Sequence, residues 1–79
     1  MYSLYYQAKI DVARTWFVVG VLRNEDHVAF ERAIEGGDGL FEFLVPQENR
    51  ERFLELMEYF KQHGYVAWFE QQSNRFMKY

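Results

Sequence analysis

The 79-residue chain contains no cysteine. Disulfides, thiolate metal sites, iron–sulfur ligation and cysteine nucleophiles are therefore excluded. A domain this small must hold together by its own apolar core or through a partner. Proline occurs once, at Pro46, so no segment can be a proline-rich linker. Positive charge is scarce: 9 Lys and Arg against 12 Asp and Glu leave a net charge of -3, without the basic excess that neutralises phosphates. Long hydrophobic runs are missing as well. The longest spans Trp16 to Leu22, whereas a membrane-spanning helix needs about 20 apolar residues. The opening residues Met1-Tyr2-Ser3-Leu4 lack the basic stretch and apolar core of a secretion signal. The expectation is an acidic, cytoplasmic chain with one small domain over residues 1–79, of which 72–79 form a tail that is frayed or docked on a partner.

Aromatic residues are abundant: 8 Phe, 6 Tyr and 2 Trp make up 20% of the chain, which excludes a disordered protein. Residues 4 to 12 alternate, with Leu4, Tyr6, Ala8, Ile10 and Val12 on one side and Tyr5, Gln7, Lys9 and Asp11 on the other. Period two with one polar side predicts a half-buried strand. Asp11 to Arg14 can turn the chain. Thr15 to Leu22, apolar on both sides and rich in β-branched and aromatic residues, predicts a second strand covered on both faces. Asn24 can cap a following helix, with Glu25 and Asp26 in its first turn, Phe30, Ala33 and Ile34 on its apolar face, and Gly36-Gly37 as its stop. Leu40 to Val45 predicts a third strand, ended by Pro46. A second helix is predicted from Glu48 to His63, with Phe53, Leu56, Met57 and Phe60 at i, i+3, i+4, i+7 and Gly64 as its C-cap. Tyr65 to Gln71 predicts the last strand.

The resulting order is β-β-α-β-α-β. It implies an α/β (α+β-like) two-layer sandwich with a four-stranded mixed sheet and two helices. The ferredoxin-like fold is the nearest alternative; it requires a hairpin between the helices, where this reading places a single strand. The right-handedness of crossovers favours both helices on one face of the sheet. A split arrangement, with one helix on each face, would bury both apolar sets of the strands within one chain.

With the helices on one face, the other must present what remains. Phe17, Val19, Val21, Phe41, Phe43, Val45, Tyr65, Ala67 and Phe69 are assigned to the helix side because that set carries no charge. The outward set then contains Trp16, Val18, Leu22, Leu40, Leu44, Val66 and Trp68 together with Glu42 and Glu70. An apolar patch of several hundred Å² on a small domain marks an interaction surface. Trp16, Val18, Leu40, Leu44 and Trp68 are accordingly the expected interface anchors, and Lys9, Glu42 and Glu70 the residues that set register at its edge.

Other motifs carry less. Gly36-Gly37-Asp38-Gly39 follows a predicted helix and opens a strand, the reverse of a phosphate loop. The two histidines, His27 and His63, are isolated; His27 with Glu31 would supply two ligands where a metal site takes three or four. Glu42 and Glu70 form a candidate carboxylate pair without a nucleophile, and Glu48 to Lys61 reads as an ordinary charged helix face. Leu40-Phe41-Glu42-Phe43 on an open sheet resembles the RNA-recognition motif in its aromatics but lacks the basic residue and glycine of its signature. The expectation is a non-enzymatic interaction or regulatory module that self-associates as a homodimer, or docks on a protein partner, through its sheet. No cofactor, metal, catalytic residue, nucleic acid or membrane is implied. The alternative is a small-ligand-binding regulatory domain, by an architectural resemblance to ACT-like domains, with Arg23 and Asn24 holding an anion at a helix start.

Overall fold

Alternation in the first segment produces strand β1, Ser3–Ile10, whose even-numbered side chains Tyr6, Ala8 and Ile10 are buried in the core while Gln7 and Lys9 face the other way. A computed structural model of the chain describes residues 3–25, 28–34 and 38–72. In these, a 3-10 turn at Val12–Arg14 leads into helix α1, Thr15–Asn24. Strand β2, Phe30–Ala33, and strand β3, Leu40–Pro46, follow as a hairpin. A second 3-10 turn opens helix α2, Arg50–Gln62, and strand β4, Val66–Gln71, closes the fold.

The strands lie in the order β2-β3-β1-β4, and every neighbouring pair is antiparallel. With the element order β-α-β-β-α-β, this is the ferredoxin-like arrangement of two interleaved split β-α-β units. The two-layer sandwich of four strands and two helices is as expected. The mixed sheet is not: the strands joined through each helix run parallel, but another strand lies between them, so no parallel pair is hydrogen-bonded. The hairpin between the helices, where the sequence suggests a single strand, is present.

Two neighbouring segments have exchanged character. Residues 15–22, expected as a strand, are helical. Their apolar run hides a helical period: Val18 and Leu22 are fully buried, Phe17 and Val21 pack at the core margin, and Trp16 and Gly20 are exposed, each pair four apart. Trp16 on the exposed side removes the polar contrast that periodicity depends on. The Thr15 hydroxyl donates to the Asp11 carbonyl at 3.2 Å at the helix start. Residues 24–34, expected as a helix, hold the last residue of α1, a connection in which Val28 and Ala29 are buried, and β2. Asn24 therefore ends a helix rather than capping one. The expected stop Gly36-Gly37 and His27 lie outside the described residues, as do residues 73–79 of the expected tail.

The hairpin depends on Gly39. Its φ is 86°, and a Cβ there would overlap the Ile10 carbonyl oxygen, while its own carbonyl accepts from the Ile10 amide at 2.7 Å. Gly64 closes α2 as expected. With φ 78°, it lets its amide donate to Lys61 and the Tyr65 amide donate back to Phe60, a Schellman cap backed by the Phe60–Tyr65 ring contact at 6.3 Å.

Both helices bury their apolar stripes against the same sheet face. Val18 and Leu22 of α1 share one core with Phe53, Leu56, Met57 and Phe60 of α2 and with Tyr6, Ala8, Ile10, Phe43, Val45 and Val66 of the sheet. The two helical connections start from antiparallel strands and cross the sheet in opposite directions. Given the right-handed sense that such connections take, this combination sends both helices to one side. Phe53 stands at the centre, 5.0 Å from the Tyr6 ring and 5.4 Å from Phe43. Phe53→Ala should cost about 3–5 kcal/mol, enough to remove most of a small domain's stability, and urea unfolding would show it as a collapse of the transition midpoint.

An ion cluster ties the end of α1 to α2. Arg52 donates to both oxygens of Glu25, at 2.8 and 2.9 Å, and to Glu55 at 2.9 Å. The hydrogen bond from Arg52 holds the Glu25 carboxyl below its ordinary value of 4.5, while Glu25 and Glu55 hold the Arg52 proton more firmly. Because the folded state favours the ionised form, this contribution is present above about pH 4.5 and lost as pH falls through the lowered value. Glu25→Gln should therefore flatten part of the acid-side decline in stability, read by urea unfolding across that range.

Candidate functional site

The register places three rows of side chains on the face that the helices do not cover. β1 pairs Tyr5 with Leu44, Gln7 with Glu42 and Lys9 with Leu40. β4 adds Glu70 beside Gln7 and Trp68 beside Lys9, and β2 adds Phe30 beside Leu44 and Arg32 beside Glu42. Read across the sheet from the β2 edge, one row runs Phe30, Leu44, Tyr5. The middle row runs Arg32, Glu42, Gln7, Glu70, and the third runs Leu40, Lys9, Trp68. A polar row thus lies between two rows rich in apolar residues.

Glu42 is the anchor of the middle row. Only 3% of it is exposed although neither α1 nor α2 lies above it. The Tyr5 hydroxyl, itself buried, donates to Glu42 Oε1 at 2.7 Å, and Gln7 Nε2 donates to that hydroxyl at 2.9 Å. Arg32 Nε stands 3.8 Å from Glu42 Oε2, with 70% of the arginine side chain exposed. A carboxylate taken out of water demands such partners, and among the described residues no buried side-chain polar atom is left without one. Phe30, Glu31, Arg32, Glu42 and Leu44 line a shallow depression of about 120 Å³ at this point.

Six of the expected interface residues, Leu40, Leu44, Trp68, Lys9, Glu42 and Glu70, lie on this face. Trp16 and Val18 do not, because they belong to α1 in the other layer. Trp16 is 74% exposed on the helix, and Val18 is fully buried beneath it, where it cannot anchor an interface. Val66, expected outward, is also core: a bulge opposite Lys9/Ile10 leaves Ala67 without a partner in the ladder, so Val66 pairs with Ile10 and turns inward. Two residues that sequence reasoning misses belong to the face, Phe30, 58% exposed, and Arg32. The alternation Phe30/Arg32 against Glu31/Ala33 is their signal, but it is too short to stand out.

The anion site expected at Arg23 and Asn24 is not formed there. Asn24 is at the C-terminal end of α1, and Arg23 is engaged with Glu31, Nε donating at 2.9 Å and Nη2 at 2.7 Å. Among the described residues, no three metal-ligating side chains come together, and no helix is long and apolar enough to cross a membrane. No family model, curated protein or solved structure matches this chain.

Removing the Tyr5 hydroxyl tests the Glu42 cluster. Tyr5→Phe leaves the buried carboxylate short of a donor and should cost about 1–3 kcal/mol in urea unfolding, against less than about 0.5 kcal/mol for Tyr59→Phe on the exposed side of α2.

Proposed function

We propose that the chain is a non-enzymatic interaction module whose working surface is the face of its sheet opposite the two helices, docking on a protein. The carrying observation is that both helices pack on one side while Phe30, 58% exposed, and Trp68, 37% exposed, remain on the other with Leu40 and Leu44. Nothing in the core requires large apolar side chains there. Polar residues would serve an outward sheet face as well and would be better solvated. Large rigid aromatic and aliphatic side chains are enriched among the residues that carry protein–protein interfaces. The polar row also guards the sheet against indiscriminate sticking.

The test places a photoreactive amino acid at Phe30 or Trp68, and at Glu58 on the exposed side of α2 as control. Protein crosslinks formed in cells should come predominantly from the two sheet positions, and a yield no higher than at Glu58 would overturn the reading. Phe30→Asp should shift folding stability by less than about 1 kcal/mol, since an exposed side chain contributes little to the core.

A further inference from the structure

We infer that the outer edge of β4 pairs with the same edge of a second copy of the chain, antiparallel, with Phe69 opposite the partner's Phe69. β4 is an end strand in the order β2-β3-β1-β4, and among the described residues no strand lies beyond it. Its inner edge is fixed by β1, with Gln7 opposite Glu70 and Lys9 opposite Trp68. One pair further along, the Gln72 amide donates to the Tyr5 carbonyl at 2.9 Å. Opposed residues of an antiparallel ladder alternate between bonded and non-bonded pairs. Glu70 and Trp68 therefore turn their amides and carbonyls toward β1, and Phe69 and Gln71 turn theirs outward. The bulge adds Ala67, which has no ladder partner within the chain. A row of donors and acceptors unpaired in its own sheet is a template for another strand.

The two ends of the sheet differ in how they are protected. Edges are blunted by shortness, lysine, proline, other charges or a bulge. β2 is such an edge, with four residues of which Glu31 and Arg32 are charged. β4 has six residues, neither proline nor lysine, and Glu70 as its single charge. Its bulge lies at the strand start, between Val66 and Trp68, and leaves residues 68–71 regular. Pairing is thus directed to one end of the sheet, and a two-fold axis closes it at two copies rather than a filament. The seam runs along the edge and is independent of docking on the face opposite the helices.

Side-chain pairing selects the register and the occupant. Outward-turned residues can oppose only outward-turned residues, so the registers differ by steps of one such residue. Phe69 against the partner's Gln71 would put Glu70 directly opposite its own copy, and like charges in that position destabilise a strand pair. Phe69 against the partner's Ala67 would set Glu70 opposite the partner's Val66, which is only 1% exposed and belongs to the core. Phe69 against the partner's Phe69 avoids both. Trp68, 37% exposed, then lies beside the partner's Glu70 in two symmetric pairs, an indole N–H donor next to a carboxylate. Gln71 lies opposite the partner's Ala67, whose backbone the bulge has left unpaired in the ladder. The edge complements itself. Five residues per strand make a seam about 17 Å long. Such a seam buries less than the roughly 1,200 Å² of stable complexes, so the expected dimer is weak and reversible.

Sedimentation velocity on the full chain, from about 1 µM to about 1 mM, should show a monomer–dimer equilibrium. The Phe69 and Gln71 amides should exchange with deuterium more slowly at the upper end of that range. Gln71→Pro removes an outward amide, a change that an edge strand tolerates, and should weaken the dimer at least about tenfold. Trp68→Glu sets like charges opposite each other in both pairs, whereas Trp68→Lys sets opposite ones, and the lysine variant should dimerise at least about tenfold more tightly than the glutamate variant. Trp68→Lys/Glu70→Lys, although nearer to zero net charge, should again be weak, which an effect of net charge alone would not produce. If Gln71→Pro fails to fold, as circular dichroism would show, the Trp68 series and the amide exchange decide. A monomer throughout the range overturns the inference, including one in which a photoreactive residue at Gln71 crosslinks to other proteins and so assigns the edge to a foreign strand. A dimer indifferent to a folded Gln71→Pro, to the sign of the charge at Trp68, or without protection of the two amides overturns it as well.

Discussion

Two helices can roof only one side of a four-stranded sheet, and the direction of each crossover determines which side. In this chain the roofed side holds all the large fully buried side chains, with Phe43 and Phe53 in ring contact at 5.4 Å and α1 clamped alongside through Phe17, whose ring lies 5.4 Å from Tyr65 and 6.3 Å from Phe60. Among the described residues, neither helix covers the second surface of the sheet. The character of that surface follows from the alternation of β1, β3 and β4: each inward aromatic or aliphatic residue fixes the side of the next one. The core and the face opposite the helices are therefore two readings of one register. A one-residue slip of β1 against β3 would carry Tyr6 and Ala8 out of the core and bring Gln7 and Lys9 into it.

The face opposite the helices is organised around a charge that burial makes expensive. Glu42 is screened from water by its neighbours, and it is tolerated because Tyr5 donates to one of its oxygens while Arg32 stands near the other. Breaking such a cluster is more costly than its net contribution to stability. Replacing it by well-packed apolar residues would in general be neutral or favourable for folding, so its presence is better explained by geometry. Tyr5, Gln7 and Glu42 are hydrogen-bonded into one orientation.

Much of this is legible in the amino-acid order, and the parts that are not fail for identifiable reasons. The stripe Phe53, Leu56, Met57, Phe60 with Gly64 after it specifies α2 and its cap unambiguously, because apolar spacing and stop signal agree. Leu40, Glu42, Leu44, Trp68, Glu70 and Lys9 can be placed on the outward face from alternation alone. Trp16 to Leu22 cannot be read correctly, because it carries apolar residues on every side: periodicity is information only where there is contrast, and the exposed position holds Trp16. β-branching then favours a strand, while packing against Phe60 and Tyr65 favours the helix. The error propagates. Once residues 15–22 are read as a strand, the next helix has to be sought in 24–34, where Phe30, Ala33 and Ile34 fit a helical face by chance, and Phe30 and Arg32 disappear from the candidate surface. The bulge at Ala67 is a tertiary event with no local signature, and it is why Val66 changes sides.

A second exposed apolar group competes with the sheet face. Val12 and Trp16 project from the start of α1, and Gly20 one turn further on leaves open space beside the helix. The two surfaces differ in what they specify. Around Trp16 the apolar group has no charged row to fix an orientation; its polar neighbours Arg23 and Asn24 lie at the far end of the helix, and Arg23 already holds Glu31. Such a surface can be covered in many ways, and nothing about it selects an occupant. The sheet face carries opposite charges at its two ends and hydrogen-bonded groups between them, spaced by the strands at a fixed interval.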